Sequence, residues 1–568
     1  MYFMALATDY DGTLAHDGSV TKTTLSALEK LKKSGRKLIL VTGRELTDLK
    51  EVFPEIGLFD KVVAENGALV YTPASEEERT ISPSPSADLV DRLKKRGVKP
   101  LSVGRSIVAT WEPHQATVLD VIKKLGLELE IIFNKGAVMI LPSGINKATG
   151  LAAALADLKL SPHNVVGVGD AENDHAFLRA SGCSVAVDNA LPAVKETADL
   201  VTKGARGKGV EELIGKLIKL DHLLVRKRSR GVLLGTARGK EVYLSFVETV
   251  LIAGSSGIGK STLATALTER LVEKRLQFCI FDPEGDYDGL QGAVLLGDGE
   301  NAPGKQQLLE LIEKPETNVV VNGLALKVDE RPDFFAELLP GLGNVRYRTA
   351  RPHWLIIDEA HHLLPKRREA SAVLAVEQPG TVLITVHPEA VSTDALRLVT
   401  AVIALGPQAK SVIRTFCRET GLQAPKSIPS PRSDRVLFWR PHDGKPFTVK
   451  AIEPGQSLRR HSRKYAEGEL DEAGSFYFTG PKKAMNLRAH NLIIFAQMAE
   501  GIDDKTWEYH LHAGDYSKWF RRQIRDKDLA QETAAAEKNK SLSAEESRKL
   551  VLDAVRRRYT APATASEK

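Results

Sequence analysis

Short apolar runs recur through residues 1–220, at Ala5–Thr8, Lys37–Val41, Lys61–Ala64, Val165–Val168 and Ser184–Val187. Helical patterns lie between them, such as Thr21–Lys33 and Lys147–Leu158, with apolar residues returning every three or four positions. Strands alternating with helices predict a parallel, doubly wound sheet, with the functional side chains at the carboxyl ends of its strands. One stretch, about 80–141, interrupts the alternation. It predicts a helix, an apolar strand (Ser106–Trp111), another helix and a strand pair around Ile131–Ile140, a compact α+β insert large enough to cap a site.

Residues 221–245 include a basic, glycine-containing run (VRKRSRGVLLGTARGK) and read as a linker passing into a strand. A second alternating region follows over 246–453. Its runs are Thr249–Ala253, Gln277–Phe281, Asn318–Val321, Trp354–Ile357, Val382–Val386 and Ala401–Ala404. From 454 to 568 the chain is richer in charge and aromatics, with few strand-like runs and a helical stretch at Ala544–Arg558. The expected class is multidomain α/β with a small, mainly helical C-terminal part.

Composition changes this picture little. At 568 residues the chain is too long for one core, and 42% hydrophobic with 27% charged residues describes an ordinary globular protein. A net charge of +6 permits nucleic-acid binding without arguing for it. The 3 cysteines have no metal spacing and form no disulfide framework, which suits a reducing cytoplasm. No run is long enough to span a bilayer, so no membrane partner is expected.

Two sets of motifs carry chemistry. The first begins with DYDGT, where Asp9 and Asp11 stand two apart at a strand end and point the same way. A carboxylate attacking phosphorus and a second acid protonating the leaving oxygen need that arrangement. Asp9 is the expected nucleophile, through an aspartyl-phosphate, and Asp11 the general acid and then base. Two anions meeting call for Mg²⁺ and further carboxylates, which GDAEND supplies as Asp170 and Asp174. Thr42 in VTGR is placed to hydrogen-bond the phosphoryl group, and Lys147 in INKATG to neutralise it and orient Asp9.

These pieces, in this order over residues 3 to 220, resemble the haloacid dehalogenase-like phosphatases. The closer resemblance is to the Cof-type branch, which shares ENGA (here Glu65–Ala68) and a cap inserted before the lysine. The resemblance implies that Asp9 and Asp170 coordinate Mg²⁺ with the Asp11 main-chain oxygen, while Asp174 supports the metal shell. It also implies a small phosphorylated metabolite as substrate, of the phosphosugar or phosphoglycolate class. Lys95, Arg96, Lys99 and His114 are candidate anion contacts in the cap, each with solvated surface charge as the plainer reading. Trp111 reads as cap core rather than a stacking platform.

The second set begins with GSSGIGKS, a full GxxxxGK[ST] loop after one apolar run and before a helical pattern. Gly254, Gly257 and Gly259 let backbone N–H groups curl around the β-phosphate of ATP. Lys260 contacts the β- and γ-phosphates, Ser261 the Mg²⁺, and Thr262 follows in the same turn. In HWLIIDEAHH, Asp358 closes a strand and can hold Mg²⁺ through water, while Glu359 is placed to activate the attacking water. FDPEGDYDG after a strand, together with VHPEA, resembles the HerA/FtsK-like ATPases over residues 230 to 410. That resemblance implies a ring-forming homo-oligomeric motor. It also implies a γ-phosphate sensor where this chain has His387 in place of the frequent Gln, and an arginine reaching the neighbouring subunit. Arg346, Arg348 and Arg414 are the candidates for that arginine.

The resulting expectation is a bifunctional cytoplasmic enzyme, a Mg-dependent phosphatase joined to an ATPase. Two alternatives use the same motifs. One is a nucleic-acid end-processing kinase–phosphatase, and the other a DNA translocase with an accessory phosphatase. In the C-terminal part, Trp507, Tyr509, Tyr516, Trp519 and Phe520 interleave with Lys518, Arg521 and Arg522, a pattern that suits base stacking. The favoured reading is nevertheless a helical domain with buried aromatics. His490, His510 and His512 lack ligand spacing.

Overall fold

The computed structural model describes residues 1–134, 136–224, 231–245, 248–327, 329–366, 380–455, 470, 474–481, 485–524 and 526–559. Among these the strands form an 8-stranded, an 11-stranded, a 4-stranded and a 2-stranded sheet. The 8-stranded sheet runs Leu200–Val201, Cys183–Ala186, Val165–Gly169, Ala5–Asp9, Lys37–Val41, Lys61–Ala64, Leu69–Thr72, Glu77–Thr80. It is parallel except for its last two strands.

All 5 residues of Ala5–Asp9 are buried, as expected for a central strand covered on both faces. From that strand the chain winds outward on one side and later returns on the other. The order therefore reverses between Ala5–Asp9 and Val165–Gly169, where α/β sheets open a crevice. Thr8 pairs with Val168 across that reversal, so Asp9 and Asp170 leave the sheet together.

The helix Lys147–Asp157 opens beside this point. Its N-cap Asn146 accepts from the N–H groups of Ala148 (2.9 Å) and Thr149 (3.2 Å), which fixes where Lys147 stands. The ENGA loop packs against the same turn. A Cβ on Gly67, at φ +107°, would lie 1.9 Å from the Asn146 carbonyl oxygen, so only glycine fits there.

The insert is a sheet of Ser102–Val103, Val108–Trp111, Ala137–Pro142 and Leu129–Asn134, with helices Ala87–Lys95 and Gln115–Leu125. It has a core of its own, including Leu89, Leu93, Val118, Ile122 and Ile140.

In the 11-stranded sheet, Ala401–Ala404, Thr249–Ala253, Thr381–Thr385, Trp354–Ile357, Phe278–Asp282, Asn318–Asn322 and Ala293–Leu296 are parallel neighbours in that order. Ala293–Leu296 escapes the sequence reading because it is an edge strand whose middle residues are exposed. Beyond Ala401–Ala404 the sheet continues antiparallel through Val436–Trp439, Phe447–Ala451, Val232–Ala237 and Lys240–Leu244. The segment read as a linker passing into a strand thus contributes a hairpin to this sheet. Its basic residues 225–230 lie outside the described residues.

The two large sheets share one apolar cluster, in which Leu160 and Val165 join Phe278 and Trp354. Polar groups close the seam. Arg351, 0% exposed, donates to the Lys159 carbonyl at 2.7 Å and to Gln277 Oε1 at 3.0 Å. His163 Nε2 reaches the Lys274 carbonyl at 2.7 Å. These residues precede strands or lie at their amino ends, so the sheets stand back to back with their carboxyl ends directed apart.

The C-terminal part is mainly helical around the hairpin Phe476–Phe478 and Leu487–Ala489. Trp507, Tyr516 and Phe520 are fully buried, and Trp507 stacks on Tyr516 at 4.3 Å. Trp519 donates to the Gly474 carbonyl. Those rings form a core and offer no stacking platform; Tyr509 alone of the five is exposed. Among the described residues, no helix is long and apolar enough to cross a membrane.

Candidate functional site

Asp9 ends its strand almost wholly buried, with Lys147 Nζ donating to its Oδ1 at 2.6 Å. The same ammonium donates to Asp174 Oδ1 at 2.6 Å. The other oxygen of Asp174 accepts from the N–H groups of Asp170 (2.8 Å) and Ala171 (2.9 Å), so Asp174 pins the loop that carries Asp170. Thr13 donates to Asp170 Oδ1 at 2.9 Å.

Carboxylate oxygens of Asp9, Asp170 and Asp174 lie within 4.8 Å of one another. Burial, then the neighbouring Asp174, push the Asp9 pKa up to about 8 against the pull of Lys147. Burial works against the charged form of Lys147, but Asp174 and Asp9 outweigh it and hold the ammonium above its usual range. Three buried carboxylates around one ammonium leave excess negative charge. Hard oxygen donors in that state fit a divalent cation.

Asp11 is set differently. Its side chain is partly exposed and gripped by Arg44, with Nε to Oδ2 at 2.7 Å and Nη2 to Oδ1 at 2.8 Å. Arg44 also reaches Asp48 at 2.6 Å. Thr42 is fully buried at the end of its strand, and its hydroxyl accepts from the Arg44 N–H at 3.1 Å. Arg44 was legible as part of VTGR, but its hold on Asp11 spans 33 positions and no local pattern announces it.

Between these residues and the insert lies a cavity of about 580 Å³, lined by Asp9, Asp11, Arg44 and Asn173 and by Ile107, Trp111 and Met139 from the insert. Trp111 is 52% exposed and faces this cavity, contrary to its reading as cap core. Along its strand Val108 points into the insert's own core, which sends Ala109 and Trp111 to the other side. Lys95 and Arg96 line a separate cleft with Arg92 and Lys124, and neither they nor Lys99 and His114 line the large cavity.

Glu65 of ENGA is the residue sequence reasoning passed over. It is 1% exposed, and its carboxylate accepts from the N–H groups of Arg105 (3.0 Å), Ser106 (2.8 Å) and Ile107 (3.3 Å) in the insert. Next to it, Asn66 accepts from Asn173 at 3.1 Å. This one loop therefore touches the insert, the Asp170 loop and the turn that carries Lys147.

The second site lies at the carboxyl end of Thr249–Ala253. Gly259, at φ +104°, leads into the helix Lys260–Glu273. Lys260 is buried and folds back to the Ser255 carbonyl at 3.2 Å, within the loop Gly254–Gly259. Ser261 Oγ donates to Asp286 at 3.1 Å. Asp358 is buried, and burial first, then Glu359 and Asp286, raise its pKa to about 7. Glu359 has φ 43° and ψ 51°, left-handed values that cost a non-glycine residue about 1 kcal/mol. His361 Nδ1 lies 3.4 Å from its carboxylate and 3.1 Å from the Thr385 hydroxyl.

His387 is more exposed and pairs with Glu389 at 3.1 Å. Its ring stands 5.4 Å from that of His361, whose Nδ1 meets the Glu359 carboxylate. Arg346, 4% exposed among core residues, is buried where it does not reach a neighbouring subunit. Arg348 and Arg414 are exposed.

Comparison with known proteins agrees with this division. Residues 6–124 and 120–214 match the haloacid dehalogenase-like hydrolase family, and residues 232–373 match the central domain of the helicase HerA. The phosphoglycolate phosphatase of Sulfolobus acidocaldarius is 32% identical over 219 residues, covering 38% of this chain and 96% of that protein. Phosphoglycolate phosphatase 2 of Saccharolobus solfataricus is 29% identical over 222 residues, covering 38% and 91%. A haloacid dehalogenase-like hydrolase from Bacteroides thetaiotaomicron is 18% identical, with 38% of this chain and 99% of that one covered at a TM-score of 0.33. Through its N-terminal region this chain belongs to the haloacid dehalogenase-like hydrolases, and a HerA-type central domain follows in the same polypeptide.

Proposed function

We propose that the chain is a bifunctional enzyme, in which a Mg²⁺-dependent phosphatase of small phosphate esters is joined to a P-loop ATPase. The observation that carries the first activity is the buried bridge from Lys147 to both Asp9 and Asp174, with Asp170 beside them. Asp9, Asp170 and, by its backbone oxygen, Asp11 would hold the Mg²⁺, with Asp174 behind them. Bound there, the ion supplies the positive charge that lets a phosphate dianion approach a carboxylate.

Asp9 Oδ attacks phosphorus, forming an aspartyl-phosphate as the ester P–O bond breaks. Asp11 gives its proton to the departing oxygen, then takes one from the water that cleaves the acyl-phosphate. Arg44, bonded to both oxygens of Asp11, holds that carboxylate beside the cavity and must yield one oxygen before Asp11 can carry the proton it gives. Thr42 and Lys147 hold the phosphoryl oxygens. A cavity of about 580 Å³ between the site and the insert suits a small ester, and the phosphoglycolate phosphatases among the relatives support that class.

In the second site Lys260 contacts the β- and γ-phosphates of ATP, with Gly254, Gly257, Gly259 and Thr262 shaping the loop. Ser261 and Asp358 serve the Mg²⁺, Glu359 the attacking water, and His387 the γ-phosphate. Phosphate release from a panel of phosphate esters, with Mg²⁺ or EDTA and with the Asp9→Asn protein as control, tests the first activity. No turnover of any ester would sink it.

The HerA match supports one rival, a DNA-translocating motor with an accessory phosphatase. It requires ATP hydrolysis that rises with DNA and a ring visible by light scattering. An end-processing kinase would instead move label from ATP to a 5′-hydroxyl oligonucleotide, a chemistry with no use for Glu359.

A further inference from the structure

The FDPEGDY segment marks the second site by resemblance, yet none of the roles above uses it. Its local construction accounts for Asp282, Gly285, Asp286 and Tyr287. Asp282 ends its strand 1% exposed and turns the chain by accepting from the N–H groups of Glu284 (3.3 Å), Asp286 (3.0 Å) and Tyr287 (2.9 Å). Gly285 has φ +71°, and a Cβ there would lie 2.5 Å from Leu324 Cδ1. Tyr287 is 0% exposed and plugs the loop into the core. Asn322 ties down its far side by donating to Asp288 at 2.8 Å. The product of this rigid turn is Asp286, 8% exposed, whose Oδ2 accepts the Ser261 hydroxyl hydrogen at 3.1 Å.

That hydrogen bond has a chemical consequence. A serine hydroxyl whose hydrogen is committed to a carboxylate turns its lone pairs away from that carboxylate and becomes a better donor to a hard cation. Asp358, by contrast, spends its Oδ1 on the Glu359 N–H at 2.8 Å. We propose that Asp286 is a positioning residue of the nucleotide site, holding the Ser261 oxygen for the Mg²⁺ that accompanies ATP. The FDPEGDY loop is then a cation-orienting device rather than a contact to base or sugar. The inference rests on the reading of this loop and helix as a Mg²⁺–ATP site.

The test is binding of a fluorescent, non-hydrolysable ATP analogue to the full chain, titrated with Mg²⁺ and again with EDTA. Wild type should bind more tightly with Mg²⁺. Asp286→Asn should lose about tenfold or more of that Mg²⁺-dependent gain, the scale of outer-shell effects on metal affinity, while EDTA binding changes little. Ser261→Ala should lose the same factor, and the double variant no more than either alone. Electron paramagnetic resonance of Mn²⁺ in the nucleotide complex gives a second readout, with weaker Mn²⁺ binding expected in both single variants. An undiminished Mg²⁺ gain in Asp286→Asn overturns the proposal while leaving the ATP site intact. If that variant does not fold, a full Mg²⁺ gain in Ser261→Ala overturns it equally. Wild type that binds no nucleotide under either condition defeats the ATP reading itself.

Discussion

His353 Nε2 donates to Asn164 Oδ1 at 3.1 Å, across the seam between the two large sheets. The donor is settled by the other ring nitrogen, which accepts the Gln277 N–H at 2.9 Å. Asn164 immediately precedes the strand Val165–Gly169 that leads to Asp170, and His353 the strand Trp354–Ile357 that leads to Asp358. Two carboxylates of separate sites thus stand at the far ends of strands rooted in one buried hydrogen bond. The helix Lys260–Glu273, which carries the loop lysine, ends at the same seam, where Lys274 meets His163.

His353→Ala should cost about 2 kcal/mol of unfolding free energy, because it strands buried polar groups of Gln277 and Asn164. Urea denaturation measures it. Burial, then His163, hold the His353 pKa well below 6.5. The folded state therefore binds fewer protons than the unfolded one below that pH, and this share of stability, complete above about 6.5, declines as pH falls. The check is the unfolding free energy of wild type minus that of His353→Ala, which cancels the opposite drift from Asp9; a difference that does not shrink from pH 7.5 to 5.5 would contradict the assignment.

Asp9→Asn should abolish ester hydrolysis, at least a thousandfold on the order of a lost nucleophile, and leave ATP hydrolysis in place. Lys260→Ala should do the reverse. Steady-state rates of both reactions on each protein provide the check, and loss of both activities in either variant would contradict two separate sites.

Mg²⁺ should stabilise the phosphatase site more at pH 8 than at pH 6. Without metal, folded Asp9 keeps its proton up to about 8, against 3.8 unfolded, so burying it costs stability as pH rises through that window. A cation relieves the cost but must displace the proton, which is harder at pH 6. The readout is the Mg²⁺-induced rise in Tm of wild type minus that of Asp9→Asn, which cancels the second site. A difference that shrinks from pH 6 to pH 8 would refute this.

Glu65→Gln should weaken the hold of the ENGA loop on the insert by about 2 kcal/mol, since the amide loses the charge-assisted bonds from three backbone N–H groups. The expected signature is a KM raised several-fold for the ester, with a smaller change in kcat, because Ile107 lines the cavity and Glu65 does not. Equal KM values would leave Glu65 without this role.

Trp111→Ala should also raise KM, but with stability within about 0.5 kcal/mol of wild type, as expected for an exposed side chain. A large loss of stability would return Trp111 to the core of the insert.

The motifs themselves were readable because each is a local unit. A strand end, a glycine turn and a capped helix start lie within a dozen residues, and apolar periodicity places them at the carboxyl edge of a sheet. DYDGT, VTGR, INKATG and GDAEND converge for that reason, as do GSSGIGKS and the Asp358–Glu359 pair. Packing over long separations decided the rest. Alternation in the strand Val108–Trp111 shows two faces but not which one meets the cavity. The basic and aromatic letters of Trp507–Phe520 are the same whether the rings stack on bases or on one another, and burial of Trp507 against Tyr516 selects the second. Arg346 reads as a free cation until its helix docks and covers it. The sequence by itself determined two sets of site motifs, while only the tertiary structure set them back to back, because burying one shared apolar seam at the amino ends of both sheets leaves their carboxyl ends facing apart.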